Sequence, residues 1–241
     1  MWSKNRPIIL GHRGFMSKYP ENSILAFLEA IKAGADGIEL DVWLTQDGEV
    51  VVYHDEYIAA IGKRIKNASL KEIKSINIGM DQGIPTLREI FESMPKNSLI
   101  NVEIKDVDAV EKTLKLIDEF KIEERIMISS FLIESLRKVR ERNKEIKIGL
   151  LVNDEDIIPE IPELAKELSL YSINLPIDAL KFFPMDMFVN TLKQIRNWGL
   201  KVALWADDDS LYYKDDNILH LKDIVDIVIT NDVQRMRNYL L

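Results

Sequence analysis

The 241-residue chain has no cysteine, which excludes disulfides and thiolate metal sites. It has no surplus of positive charge either. Lys and Arg number 32 against 40 Asp and Glu, a formal net charge of −8, and the acidic excess is spread along the chain. Duplex nucleic acid is bound largely by cations that neutralise phosphates, so this balance argues against a nucleic-acid partner, and it disfavours adhesion to anionic lipid. Long hydrophobic runs are missing as well. The N-terminal stretch MWSKNRPIIL carries positive charge but only a short apolar patch, Pro7–Leu10, too short for a signal-peptide core or a membrane span. The expectation is a cytoplasmic enzyme without stable membrane insertion. No low-complexity linker, close repeat, P-loop or Ser-His-Asp ordering is present.

What is present is a rhythm: a short run of Ile, Val and Leu, a turn, then a helical period. Eight candidate strands lie at 7–10, 37–44, 99–105, 126–130, 147–152, 172–177, 201–206 and 226–230. Helical segments lie between them, such as NSILAFLEAIKAGA, with Asn22 or Ser23 as its cap, and FVNTLKQIRNWG, with Gly199 closing it. Eight strands, each followed by a helix, in this length predict one α/β domain over 1–241, a (β/α)8 TIM barrel. A doubly wound open sheet shares the local pattern. Residues 45–85 break the rhythm and are expected to form a hairpin and a small insertion in the second βα loop, on the side where barrels keep their active sites. The apolar stretch LKFFPMDMF after strand six is expected to pack its helix into the core through Phe182, Phe183, Met187 and Phe188, the alternative being that it shapes a pocket or touches a lipid chain.

Alternation along a strand places Glu39 and Asp41 of GIELDVWL on one face, and Glu103 and Lys105 of NVEIK likewise. Three carboxylates crowded at one barrel mouth are costly unless cations hold them. Either Lys105 and Arg13 pair with them, or a divalent metal binds. All-oxygen ligands favour a hard ion, Mg2+ or Ca2+, with Mn2+ a further option. Of three histidines, His12 in GHRG and His54 in YHDE stand at strand ends beside charged neighbours and suit acid–base chemistry. His220, in ILHLK, is assigned no role. Arg13 offers a planar fork and Lys105 a point charge for a phosphate. Together these point to phosphoester cleavage.

HRG, PENS, AF, GAD-GIELDV-LT-DGEVVVYHD, IPTL, NVEIK and SSF, in that order and spacing, resemble the glycerophosphodiester phosphodiesterases. The resemblance implies a TIM barrel that hydrolyses small-molecule glycerophosphodiesters to sn-glycerol 3-phosphate and an alcohol. It implies one divalent cation on Glu39, Asp41 and Glu103, His12 and His54 as the catalytic pair, and Arg13 and Lys105 on the phosphate. The glycerol hydroxyl would attack first, giving a cyclic phosphate that water opens. Trp205 would line the substrate pocket. The chain departs from the family pattern at EYIAAIGKR after Asp55, at LWADDD where the seventh strand ends and at ITND at the end of the eighth. Substrate choice is therefore open between water-soluble diesters and lysolipids, the latter in a lysophospholipase D-type reaction. A barrel that binds a phosphorylated metabolite without turnover is the non-enzymatic alternative. The sequence sets no oligomeric state.

Overall fold

A computed structural model describes residues 1–241. Its central sheet is a closed parallel barrel of β1 (Ile8–Gly11), β2 (Gly37–Leu44), β3 (Leu99–Ile104), β4 (Ile126–Ser130), β5 (Lys147–Leu151), β6 (Ser172–Pro176), β7 (Lys201–Trp205) and β8 (Ile227–Thr230). Each strand pairs with the next, and β1 closes on β8 with Gly11 opposite Thr230. The open-sheet alternative is thereby excluded. The outer layer comprises α1 (Ile24–Lys32), α2 (Leu87–Ser93), α3 (Val110–Phe120), α4 (Ile133–Arg142), α5 (Ile161–Leu168), α6 (Met185–Asn197), α7 (Ser210–Tyr213), α8 (Asn217–Leu221) and α9 (Val233–Leu240). No helix is long and apolar enough to cross a membrane.

Period-two alternation sorts each strand's residues between two cores. Outward side chains such as Ile38, Leu40, Val42, Val102 and Ile104 join the large cluster under the helices. Inward side chains Ile8, Leu10, Leu99, Met127, Ala203, Ile227 and Ile229 fill the lower barrel, plugged by Trp2. Higher on the same inward face the residue type changes: Gly37, Glu39 and Asp41 ascend β2 beside Leu99, Asn101 and Glu103 of β3. The site is thus the upper layer of the barrel's own interior.

The second connection holds the expected hairpin, with Val50–Val52 antiparallel to the end of β2. Its insertion has a core of its own, including Val51, Ile58, Ile65, Ile73 and Ile84, before Thr86 caps α2. The seventh connection carries two short helices, α7 and α8, separated by Asp215 and Asp216 at φ +50° and +55°. The LKFFPMDMF expectation is corrected. Only Phe188 is buried, whereas Phe182 is 79% and Met187 50% exposed and Phe183 is half-buried. The α6 stripe that packs inward is Phe188, Leu192 and Ile195. Met187 lies about 100° around the helix from Phe188, and Phe182 precedes the helix altogether.

At the lower end, Asp36 organises the closure. Its carboxylate accepts from the Ile9 amide at 2.9 Å and from Arg6 Nη1 and Nη2 at 2.7 and 2.9 Å, and it pairs with Lys4. Burial works to raise its pKa, but Arg6, Lys4 and the Ile9 amide hold it below the ordinary 3.8. As pH falls the unfolded chain therefore takes up the proton first, so this contribution is full above the ordinary carboxylate range and fades below it. Asp36→Ala is expected to cost about 2–4 kcal/mol by urea unfolding at neutral pH. The gap should narrow towards roughly pH 3, and turnover of the folded protein should be unchanged.

Candidate active site

The GHRG turn leaves β1 at the top of the barrel. Gly14 adopts φ +89°, and a Cβ there would lie 2.6 Å from the Ala26 carbonyl carbon, so only glycine lets the turn rest on α1. Arg13 (φ +49°) and Asn22 (φ +55°) are also left-handed, a costly conformation for a non-glycine residue unless its surroundings hold it. Here they do. Arg13 N donates to Glu39 Oε2 at 3.0 Å, and Asn22 N donates to the Arg13 carbonyl at 2.9 Å. The Asn22 side chain donates to Asp41 Oδ2 at 2.9 Å and accepts from the Asp41 amide at 3.4 Å. PENS therefore contributes a residue that reading it as a helix cap missed: its side-chain amide gives to the Asp41 carboxylate and accepts from the Asp41 amide.

One solvent-open cleft of about 480 Å³ is lined by His12, Arg13, Glu39, His54, Glu103, Lys105 and Trp205, together with Asn101, Phe131 and Asp207. Every candidate site residue singled out from the sequence lies here except Asp41, which is buried behind its contacts with Arg13 and Lys105. Oxygens of Glu39, Asp41 and Glu103 all lie within 4.8 Å of one another. Lys105 Nζ is 3.1 Å from Asp41 and 2.7 Å from Glu103, and Arg13 Nε is 3.4 Å from Asp41. Arg13 also reaches Glu21 at 3.2 Å. Phe131 packs edge-on against Trp205, their centroids 6.0 Å apart. Asn101, directly opposite Glu39 in the sheet, was not found from sequence, although it shares a face with Glu103 two residues on.

The charges do not balance within the protein. Burial, with Asp41 and Glu103 nearby, raises the Glu39 carboxyl well above its ordinary value. Burial and Asp41 push Glu103 up to about 7 despite its contact with Lys105. Burial would raise Asp41 too, but Lys105 and Arg13 hold it down. The Asn101 Oδ1 is buried without a partner. A convergent, under-compensated set of oxygens fits a hard divalent cation.

Each histidine is oriented through Nδ1. His54 is carried back over β2 by the hairpin, with Trp43 Nε1 donating to its carbonyl at 3.1 Å, and its Nδ1 lies 2.8 Å from Asp55 Oδ1. His12 Nδ1 lies 2.7 Å from Asn231 Oδ1, and its Nε2 is 3.9 Å from Glu39. Burial, with Arg13 beside it, pushes the His12 imidazole down to about 4, leaving it neutral at ordinary pH.

A TIM barrel whose rim gathers two imidazoles, a carboxylate triad and two cations belongs to the class of phosphodiester hydrolases. The profile of the glycerophosphoryl diester phosphodiesterase family matches residues 12–235, and the chain belongs to that family. A glycerophosphodiester phosphodiesterase of Caldanaerobacter subterraneus subsp. tengcongensis is 35% identical, the match covering 97% of each chain. The crystal structure of a glycerophosphodiester phosphodiesterase from Thermotoga maritima superposes with a TM-score of 0.79 at 33% identity, over 98% of this chain and 99% of that one. An Oleispira antarctica phosphodiesterase, solved with the product sn-glycerol-3-phosphate, shares the fold with a TM-score of 0.82 at 23% identity, over 97% of this chain and 96% of that one.

Proposed function

We propose that this enzyme hydrolyses glycerophosphodiesters to sn-glycerol 3-phosphate and an alcohol, with His12 and His54 as acid–base pair and a divalent cation on Glu39, Asp41 and Glu103. The observation that carries the reading is the meeting of both imidazoles, Glu39 and Glu103 in one cleft, with an Asp41 oxygen within 4.8 Å of those of the other two acids. The product carried by the Oleispira structure supports the substrate class. When bound, the cation would neutralise phosphoryl oxygens and the charge that builds on them in the transition state.

The chain's own groups supply the rest. His12 Nε2, its lone pair free because Nδ1 faces an acceptor, takes the proton of the glycerol 2-hydroxyl as that oxygen attacks phosphorus. His54, whose ring is oriented by the Nδ1 contact with Asp55 Oδ1 at 2.8 Å, gives a proton to the departing alcohol. The cyclic phosphate is then opened by water with the roles exchanged, so each histidine returns to its starting state. Arg13 and Lys105, which line the same cleft, would contact the phosphate through a planar fork and a point charge.

The test is glycerol 3-phosphate release from glycerophosphocholine and glycerophosphoethanolamine. Attack by a neighbouring hydroxyl predicts that bis(p-nitrophenyl) phosphate, which has none, is turned over at least roughly 100-fold more slowly, given the advantage of an intramolecular nucleophile. Equal rates on both would refute the cyclic route. No release from any glycerophosphodiester, with tight binding of glycerol phosphate instead, would favour the non-catalytic barrel.

One observation favours a second reading. An apolar groove of about 560 Å³, lined by Val152, Ile158, Leu175, Phe183 and Met187 among others, runs beside the upper ends of β5 and β6. It could take the chain of a lysolipid. Lysophosphatidylcholine turned over faster than glycerophosphocholine would establish that preference.

A further inference from the structure

Two of the places where the sequence departs from its family's pattern, LWADDD and ITND, meet in the structure. Asp209 lies in the seventh connection, and its carboxylate closes on the turn after β8. Oδ1 accepts from the Asn231 amide at 3.0 Å, Oδ2 accepts from the Asp232 amide at 2.9 Å, and Thr230 Oγ1 donates to the same Oδ2. This turn is also joined to the GHRG turn. The His12 amide donates to the Thr230 carbonyl at 2.9 Å and the Ser17 amide to the Asn231 carbonyl at 3.1 Å.

At the centre is the Asn231 side chain. Its Nδ2 donates to the Asp207 carbonyl at 3.2 Å, an atom that can only accept, which fixes which way round the amide sits. Oδ1 must then be the atom facing His12 Nδ1 at 2.7 Å, and because a side-chain carbonyl only accepts, the ring proton lies on Nδ1. An imidazole free in water favours the opposite tautomer. With that one, His12 would present an N–H to the cleft and could not take a proton there.

We propose that Asn231 and Asp209 are positioning residues for His12. Asn231 imposes the Nδ1–H tautomer and the ring orientation, and Asp209 holds Asn231 by fixing the backbone of residues 230–232. Neither touches the reacting atoms. Asp207 contributes through its carbonyl alone, so these two aspartates have different parts: one offers backbone, the other a carboxylate that gathers three donors. The inference rests on the acid–base reading of His12 given above, but its central claim is read without turnover.

The experiment is long-range 15N–1H correlation spectroscopy of histidine-labelled full-length protein at neutral pH, with His12 signals assigned by their loss in His12→Gln. Wild type should show His12 protonated on Nδ1. Asn231→Ala should move it to Nε2–H or to a mixture, and Asn231→Asp, which keeps an acceptor, should restore Nδ1–H. In steady-state assays Asn231→Ala should lower kcat by roughly 10- to 100-fold, the range seen when a hydrogen bond that orients a functional side chain is lost, with KM little changed and most of kcat recovered in Asn231→Asp. Asp209→Ala should shift the tautomer in the same direction, with melting temperature recorded beside it. An Nε2–H tautomer in wild type, or a His12 tautomer indifferent to Asn231→Ala, overturns the proposal. A tautomer indifferent to Asp209→Ala removes Asp209 from it. If Asn231 behaves as expected yet His12→Ala remains fully active, the acid–base reading fails and the positional claim stands.

Discussion

His12→Ala is expected to lower kcat/KM by on the order of 10²–10⁴, the contribution of one positioned acid–base group, while stability changes by no more than about 1 kcal/mol. The two outcomes separate because of where His12 lies. It follows the last residue of β1 in the upper, polar layer, and the apolar plug of Ile8, Leu10 and Trp2 lies below it. Its removal leaves Asn231, which is only partly buried, to be satisfied by water. His54→Ala should behave alike, since its ring is a third exposed and the hairpin is held by the backbone bond from Trp43. Thermal melts and initial rates on glycerophosphocholine check both. A large fall in melting temperature would make His12 a structural residue.

The second large effect is expected at the carboxylates. Glu103→Gln should lower activity by on the order of 10³, the equivalent of several kcal/mol of transition-state charge stabilisation. It should also reduce the rise in melting temperature that Mg2+ or Ca2+ produces in wild type. The pH dependence of chelated protein is the reverse of that of an ordinary ion-paired acid. Glu103 is raised from 4.5 to about 7 when folded, and Glu39 is raised in the same direction. Between those values the folded protein keeps protons that the unfolded chain has released, so stability falls as pH rises through this window. A divalent cation displaces those protons, and its affinity should climb over the same range. Thermal shift with and without chelator at several pH values between about 5 and 8 tests the sign. A metal increment that shrinks as pH rises would count against a cation on these residues. Glu39→Gln, by removing one of three crowded carboxylates, should leave chelated protein at neutral pH as stable as wild type or more so.

The insertion and α6 show how far local pattern reaches. Thr86 and Glu89 form a capping box, a signal that needs only four consecutive residues, and α2 begins where the sequence places it. The cap of α3 is Lys121 in the left-handed region, a position that glycine would have announced and lysine does not. Phe182 and Met187 are apolar by type yet lie on the surface, because hydrophobicity says that a residue can be buried and only the position of the neighbouring strand says whether it is. Asn22, Asn101 and Asn231 were overlooked as site residues for a related reason: an amide reads as a cap, a strand residue or a turn residue until the group it bonds is known.

By itself the sequence determined the eightfold alternation of strand and helix, the sharing of one face by Glu39 and Asp41 and of another by Glu103 and Lys105, and the family to be tested. These are properties of period and of near neighbours, carried by every short stretch of chain. Tertiary structure decided that those faces are the inside of a closed barrel, that residues more than 200 positions apart, His12 and Asn231, share a hydrogen bond, and that the acids outnumber the cations placed among them. Those facts depend on how strands remote in sequence register against one another, and on the low-dielectric interior that closure creates. No single strand carries that information.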